Sequence, residues 1–456
     1  MYVRDTIAAI STPVGEGGVG IVRVSGDRSK EIAERIFTGK NSGGMKSHRF
    51  YYGEIKDPAS GSVLDEAMVV LMLAPKTYTR EDVLEIQCHG GYVLVSRILE
   101  LVLRQGARLA EPGEFTKRAF LNGRIDLVQA EAVIDVIRGK TDAAVALAQH
   151  QREGLLSRKI QETKDDIIHA LALIEAFLDF PEEDLEFAEN SEITGHIKRA
   201  IEKAEKLIDG FNEGRVLREG VSVLIAGKPN VGKSSLLNTL LKEKRAIVTS
   251  VPGTTRDVIE EVVNIDGLPV KMLDTAGIRA TEDVVELEGV KLALERIALA
   301  DLVLLVLDVS RPLDDEDNLI IDAVRASNVI VVMNKSDLDV VMEIPEQLKN
   351  RARVEISTLT GAGIRALREM IFKKFVHEKA IDGREFVVLS QARHRDALMK
   401  TKDHLNTFLD NFNSGVNLEI VALDLRAALG ALGEITGETT PDDILNHIFG
   451  RFCIGK

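Results

Sequence analysis

The sequence predicts a multidomain chain mixing α+β and α/β architecture: an N-terminal α+β domain, then a helical bundle interrupted by an inserted α/β module. Three observations predict it. The 456 residues exceed one ordinary domain, since roughly 100–200 residues per domain gives about three. The hydrophobic texture changes along the chain from short β-rich runs to helical period, then to alternating strands and helices. The helical period returns after the α/β block, and domain termini lie close enough for such an insertion. The boundaries expected are 1–120, 121–218, 219–378 and 379–456.

Within the first segment, β-rich runs at 5–10, 20–24, 49–55, 67–73 and 83–88 are punctuated by Gly, Pro and Ser. A helix is expected over 93–103, after Gly90-Gly91. The letters Gly15-Glu16-Gly17-Gly18-Val19-Gly20 match a dinucleotide fingerprint, but Ile21-Val22-Arg23-Val24 continues them as a strand and not as the helix that fingerprint needs. In the second segment Leu156, Ile160, Ile167, Leu171, Ile174 and Leu178 recur at helical spacing, as do Ile197, Ile201, Ala204, Ile208 and Phe211. The acidic run 181–186 reads as a solvated connector between them. In the third, buried-strand runs at 221–226, 270–273, 302–307, 329–333 and 354–356 alternate with helical stretches, the pattern of a doubly wound parallel sheet. Asp266-Gly267 reads as a hairpin turn, which adds one antiparallel edge strand. The last segment carries helical stripes at Leu398, Leu405, Leu409 and Phe412, then at Val421, Leu425, Ala428 and Leu432. Thr440-Pro441-Asp442-Asp443 reads as an N-cap, a helix-favouring Pro and an acidic first turn.

Composition narrows the function classes. Lys+Arg 58 against Asp+Glu 72 gives a net charge of -14, which disfavours coating of nucleic acid or anionic membrane by charge alone. The apolar run 67–74 is far short of the roughly 20 residues a spanning helix needs. Cys88 and Cys453 are the two cysteines, too few for a disulfide framework or a Cys-based zinc site. A cytoplasmic protein of bacterial type, with no membrane partner, is expected.

The strongest chemical signal is Gly227-Lys228-Pro229-Asn230-Val231-Gly232-Lys233-Ser234, a G-x-x-x-x-G-K-[ST] phosphate loop between a strand and a helix. Its glycines let backbone N–H groups turn toward phosphate oxygens, and the helix N-terminus adds positive partial charge. Nucleotide contacts are expected at Asn230, Val231, Gly232, Lys233, Ser234 and Ser235, with Lys233 on the β- and γ-phosphates and Ser234 on Mg²⁺. Asp274-Thr275-Ala276-Gly277 supplies a carboxylate for Mg²⁺ and an N–H for the γ-phosphate. Asn334-Lys335-Ser336-Asp337 ends a strand, and the Asp337 carboxylate can accept from N1–H and N2–H of guanine, donors that adenine does not pair. That selects GTP over ATP. Ser357-Thr358 reads as the loop backing the base.

Thr249-Ser250-Val251-Pro252-Gly253-Thr254-Thr255-Arg256-Asp257 sits where a switch loop closes on the γ-phosphate, with Thr255 a second Mg²⁺ ligand. After Gly277 stands Ile278, which cannot orient water. Help is expected instead from Asn230, through a monovalent cation that neutralises developing charge, and from Glu286.

The inserted module, Pro-Asn-x-Gly-Lys-Ser at 229–234, Gly-Thr-Thr-Arg-Asp at 253–257 and the terminal Phe452-Cys453-Ile454-Gly455-Lys456 together resemble the bacterial tRNA uridine-modification GTPases of the MnmE (TrmE) family. The likeness runs over essentially the whole chain. It implies an N-terminal folate-binding and dimerising domain, a helical domain and an inserted Ras-like P-loop GTPase domain. It further implies a homodimer that works with the FAD-dependent partner MnmG (GidA), as a heterotetramer, to install an aminomethyl or carboxymethylaminomethyl group on carbon 5 of the tRNA wobble uridine. On this resemblance K⁺ falls on Asn230, Thr249, Val251 and Thr254, Mg²⁺ on Ser234 and Thr255, and the water-orienting role on Glu286, with Arg256 given no finger role. A one-carbon tetrahydrofolate, 5-formyl or 5,10-methylene, would meet Arg23, Glu85, Arg124 and Lys456. Cys453 falls at the folate and substrate region; whether its thiol is a nucleophile stays open. Cys88-His89 reads as a structural strand-end pair. Two rivals are a ribosome-assembly GTPase, which usually carries a separate RNA-binding module, and a dynamin-like membrane GTPase, which needs a membrane-engaging segment.

Overall fold

A computed structural model describes residues 5–13, 15–39, 44–179, 187–243, 261–273, 297–376 and 387–455. The chain folds into two compact units. The first runs to Ile134 and takes up the chain again from Gly430; the second runs from Asp135 to Leu429. This partition differs from the four expected segments.

The first unit is built on a seven-stranded sheet: β1 Ile7–Ile10, β2 Gly17–Ser25, β3 Phe37–Gly39, β4 Arg49–Lys56, β5 Val63–Met72, β6 Val83–Gly90 and β7 Arg108–Leu109. Their spatial order is β3-β4-β5-β6-β2-β1-β7, antiparallel except for the parallel β1–β7 edge. Val22, Val24, Val69, Leu71, Leu84 and Ile86 point to one face, where they form a core with helices Ser29–Ile36 and Tyr92–Arg104. The strand period of two dictates this alternation. Arg23 and Glu85 are register partners between β2 and β6, on the opposite face.

Ser29–Ile36 and Glu114–Leu121 are helices that no expected element covered. Each has eight residues, too short for a stripe to stand out from neighbouring strands. The expected boundary at 120 falls within the second. Beyond it, Leu127, Ala130 and Ile134 of helix Leu127–Arg138 pack with Leu445, Ile448, Phe449 and Phe452 from the C-terminal end. That packing explains why stretches roughly 300 residues apart in sequence belong to one unit. Thr440 is not an N-cap. Its hydroxyl donates to the Glu434 carbonyl at 3.0 Å, and helix Asp442–Phe449 starts after Pro441 with no side-chain cap.

The second unit holds a six-stranded sheet of β8 Val221–Ala226, β9 Glu261–Ile265, β10 Leu268–Met272, β11 Leu302–Asp308, β12 Val329–Asn334 and β13 Ala352–Glu355. The order is β13-β12-β11-β8-β10-β9, parallel apart from the β9–β10 hairpin. Asp266 and Gly267 turn that hairpin with φ of 52° and 98°, the pair of positive φ values a type I′ turn requires. Two interior strands, β11 and β12, are buried along their whole length, as strands covered on both faces must be. The longest helices are Leu155–Asp179, Phe187–Asp209 and Ala392–Asn413. In the last, Leu398, Thr401, Leu405 and Phe408 face inward, so the buried stripe runs one step from the expected Leu409 and Phe412. Among the described residues no helix is long and apolar enough to cross a membrane.

Candidate nucleotide-binding site

The phosphate loop leaves the end of β8 and returns as helix Lys233–Glu243. Two glycines make that path possible. A Cβ on Gly227, at φ 145°, would lie 2.4 Å from the Val306 carbonyl oxygen, and one on Gly232, at φ 103°, 2.1 Å from Asn334 Nδ2. Side chains at these positions would fill the cradle and strain the backbone. Asn230 takes φ 65°, a left-handed conformation that Asn tolerates better than most residues.

Lys233 Nζ donates to the Gly227 carbonyl oxygen at 2.6 Å and to that of Lys228. Neither partner is an anion. Burial alone lowers the Lys233 ammonium below the ordinary lysine value, because removing a cation from water favours its neutral form. A desolvated ammonium in a glycine cradle at a helix N-terminus matches the charge and shape of phosphate.

The guanine loop is tied to this cradle. Asn334, fully buried, donates from Nδ2 to the Val231 carbonyl oxygen at 2.7 Å and accepts at Oδ1 from the Thr358 N–H at 3.2 Å. One amide thus joins the phosphate loop to the segment after β13. Ser357 is buried and closes that segment, its N–H on the Ala362 carbonyl at 3.0 Å and its Oγ accepting from the Thr360 N–H at 3.1 Å. Lys335 has φ 65° and Asp337 is exposed. Ser234 and Ser235 open the helix with exposed side chains. The structure therefore brings Val231, Gly232, Lys233, Asn334 and Thr358 together. Thr249, Val251, Thr254, Thr255, Arg256, Asp274, Thr275, Ala276, Gly277, Ile278 and Glu286 lie outside the described residues, as does the connector 181–186.

Two anchors were not read from the sequence. Lys228 pairs with Asp314 and, at 3.0 Å, with Glu316, both at the N-terminus of helix Asp315–Ala323. Asp308 pairs with Lys335 at 2.6 Å. The available signal for Asp308 was a carboxylate closing a strand of apolar residues.

On the first unit's sheet, Arg23 Nε donates to Glu85 Oε1 at 2.8 Å, with each side chain about one-fifth exposed. Arg23 also donates to the Gly455 carbonyl oxygen at 3.2 Å, which the Ser11 hydroxyl reaches at the same distance. The tail gets there because Gly455, at φ 95°, has no Cβ to strike the Ile10 carbonyl oxygen 2.3 Å away. Ile10 lines a cavity of about 290 Å³ together with Thr12, Pro13, Val19, Tyr92 and Val95. The Arg23 guanidinium lies 5.8 Å from the Phe115 ring centroid, and that of Arg124 lies 4.9 Å from the Tyr78 centroid. Tyr78 packs on the small core of Ile7, Ala9, Ala110 and Phe115, so both cations border one small apolar cluster. Sequence reading missed Phe115, Tyr78, Ser11 and the Gly455 carbonyl. Cys453 is exposed, with its carbonyl oxygen accepting from the Gly113 N–H at 3.4 Å. Lys456 lies outside the described residues. Cys88 is buried and His89 exposed. Burial, reinforced by the charge of Asp65, pushes the Cys88 thiol up to about 11, so it stays protonated and inert.

A parallel sheet carrying this loop and an Asn-tethered base loop defines a P-loop nucleotide-binding protein. Comparison with known proteins refines that class. Residues 6–124 match the model of the GTP-binding protein TrmE N-terminus, and residues 127–453 match that of the MnmE helical domain. The tRNA modification GTPase MnmE of Geobacter sulfurreducens is 63% identical over 456 residues, covering 100% of both chains. The proteins of that name from Geobacter metallireducens and Thermoanaerobacter pseudethanolicus are 64% and 51% identical, again over 100% of both chains. The chain belongs to the MnmE (TrmE) family of tRNA modification GTPases.

Proposed function

We propose that this protein is a potassium-stimulated GTPase of the cytoplasm. As a homodimer with an FAD-dependent partner of the MnmG (GidA) type, it would add an aminomethyl or carboxymethylaminomethyl group to carbon 5 of the tRNA wobble uridine. The observation that carries the reading is the desolvated Lys233 ammonium, bonded to loop carbonyls in a cradle that Gly227 and Gly232 keep open. Segments 1–120, 121–218, 219–378 and 379–456 are assigned as the folate-binding and dimerising domain, the first helical part, the inserted G domain and the second helical part with its tail.

In this mechanism the loop N–H groups and Lys233 hold the phosphates, and Asp337 selects guanine by accepting from N1–H and N2–H. Ser357 and Thr358 back the base. Ser234 and Thr255 would hold Mg²⁺, with the Asp274 carboxylate reaching it through water, and the ion would supply neutralisation of phosphate charge. Thr275 and Ala276 join the nucleotide contacts, and the Gly277 N–H senses the γ-phosphate. Asn230, Thr249, the Val251 carbonyl and Thr254 hold K⁺ where two G domains pair, taking the place of an arginine finger. Glu286 orients the water that Ile278 cannot. Arg23, Glu85, Arg124 and Lys456 hold a 5-formyl- or 5,10-methylene-tetrahydrofolate, and Cys453 acts beside it. Nucleotide turnover gates a conformational cycle and does not itself make the new carbon bond.

Hydrolysis of GTP measured in KCl and in NaCl tests the reading. Much faster turnover in KCl is expected, and equal rates would remove the potassium assignment. For Cys453, the Cys453→Ser variant is expected to lose tRNA modification, and full retention would remove the thiol from the chemistry.

A further inference from the structure

Asp308 ends β11, whose seven residues are all buried, and is itself 5% exposed. A carboxylate there is costly unless it is paired. Its Oδ1 accepts from the Ser310 hydroxyl at 2.6 Å and the Ser310 N–H at 3.0 Å, while Oδ2 accepts from Lys335 Nζ at 2.6 Å. Burial pushes the Asp308 carboxyl up, but the bonds from Lys335 and Ser310 outweigh it and leave the group below the usual carboxylate range. Asp308 is the register partner of Asn334 across the parallel β11–β12 pair. The sheet itself therefore delivers this carboxylate to the loop that follows Asn334.

That loop contains a conflict. The Leu338 N–H bonds to the Lys335 carbonyl oxygen at 3.0 Å, so one tight turn carries both the Lys335 ammonium and the Asp337 carboxylate. A lysine is a point charge on a flexible stem, and pairing with Asp337 would occupy the oxygens that guanine requires. Instead the ammonium rests on Asp308. Among the described residues, Asp337 makes no ion pair and is exposed.

We propose that Asp308 is a positioning residue for guanine recognition: by holding the Lys335 ammonium, it keeps the Asp337 carboxylate free to accept the two guanine donors. The inference rests on the reading of Asp337 as the guanine acceptor. Asp308 touches no nucleotide in this scheme and acts only through Lys335.

The test uses the full chain, with displacement of a fluorescent GDP analogue by GDP and by ADP. Asp308→Asn is expected to weaken GDP binding roughly tenfold, as the loss of one charge-assisted hydrogen bond implies. Raising the salt concentration should narrow the gap to wild type, because the new Lys335–Asp337 pair would be exposed and screened. Asp308→Asn combined with Lys335→Met should bind GDP no more weakly than Lys335→Met alone, since one interaction is removed twice. A packing defect would produce neither behaviour. Thermal unfolding without nucleotide verifies that the variants fold, and Asp308→Ser replaces Asp308→Asn if that chain does not. The proposal is overturned if Asp308→Asn stays within about twofold of wild type. It is equally overturned if the gap ignores salt or the double variant loses the product of the two single effects. If wild type shows no preference for GDP over ADP, or Asp337→Ala retains one, the guanine reading has failed instead.

Discussion

The phosphate cradle and the N-terminal sheet site hold their cations in opposite ways. Lys233 rests on the carbonyl oxygens of Gly227 and Lys228, with no carboxylate paired to it among the described residues. Its charge is incompletely answered, and burial lowers its proton affinity. Arg23 already carries Glu85 at 2.8 Å and is capped by the Gly455 carbonyl. The first arrangement suits a polyanion, whose arrival restores what desolvation removed. The second is nearly neutral. It suits a ligand read by hydrogen-bond direction and by the rings of Phe115 and Tyr78 more than by net charge. The two sites should therefore fail differently.

The largest expected effect is at the cradle. Lys233→Ala should lower GTP turnover by roughly 10²–10³-fold, the loss typical for one preorganised donor to developing charge, measured as phosphate release. A rate within a few-fold of wild type would erase the contrast. Next comes Asp337→Asn, expected to exchange guanine preference for xanthine, whose carbon 2 bears a carbonyl oxygen in place of the amine. Competition of GDP against XDP for the fluorescent analogue checks it, and the absence of Trp keeps the background low. Gly232→Ala should cost roughly 1–3 kcal/mol of stability through backbone strain at positive φ, with the Asn334 amide also forced off Val231. Thermal unfolding of the nucleotide-free chain gives the shift. At the sheet site, Glu85→Gln should cost only about 1 kcal/mol, because the pair is partly solvated and Gln still accepts a hydrogen bond. The same variant should weaken tetrahydrofolate binding by calorimetry.

The smallest effect is with pH, and it belongs to the first unit. Burial pushes Asp5 and Glu114 up, but hydrogen bonds and charge from Arg108 and Arg118 outweigh it and hold both carboxyls below their ordinary values. Folded-state depression means that this stabilisation is fully present above the ordinary values of 3.8 and 4.5 and is lost as pH falls through the lower folded ones. Thermal unfolding followed by circular dichroism should thus change little from neutral pH to the ordinary carboxylate range and decline as pH falls below it.

What could be read from sequence follows the same divide. The cradle is contiguous: Gly227 to Ser234 is one loop, and its spacing states its geometry. Even the β9–β10 hairpin was announced by Asp266-Gly267. The sheet site is assembled from Ser11, Arg23, Glu85, Phe115 and Gly455, and no local period or spacing links them. Strand register puts Arg23 opposite Glu85, which pattern alone does not supply when strand order is unknown. Short helices such as Ser29–Ile36 were invisible for want of length. Asp308 was hidden for a related reason, since its partner Lys335 is adjacent only across a parallel strand pair.

The central claim is that both sites serve one reaction on tRNA. The direct measurement is a nucleoside digest of tRNA from a bacterial strain deleted for its own family member, complemented with wild type, Lys233→Ala or Arg23→Ala. Wild type should restore carboxymethylaminomethyluridine and its derivatives, and neither variant should. Unchanged levels of those nucleosides in the uncomplemented deletion strain would contradict the account.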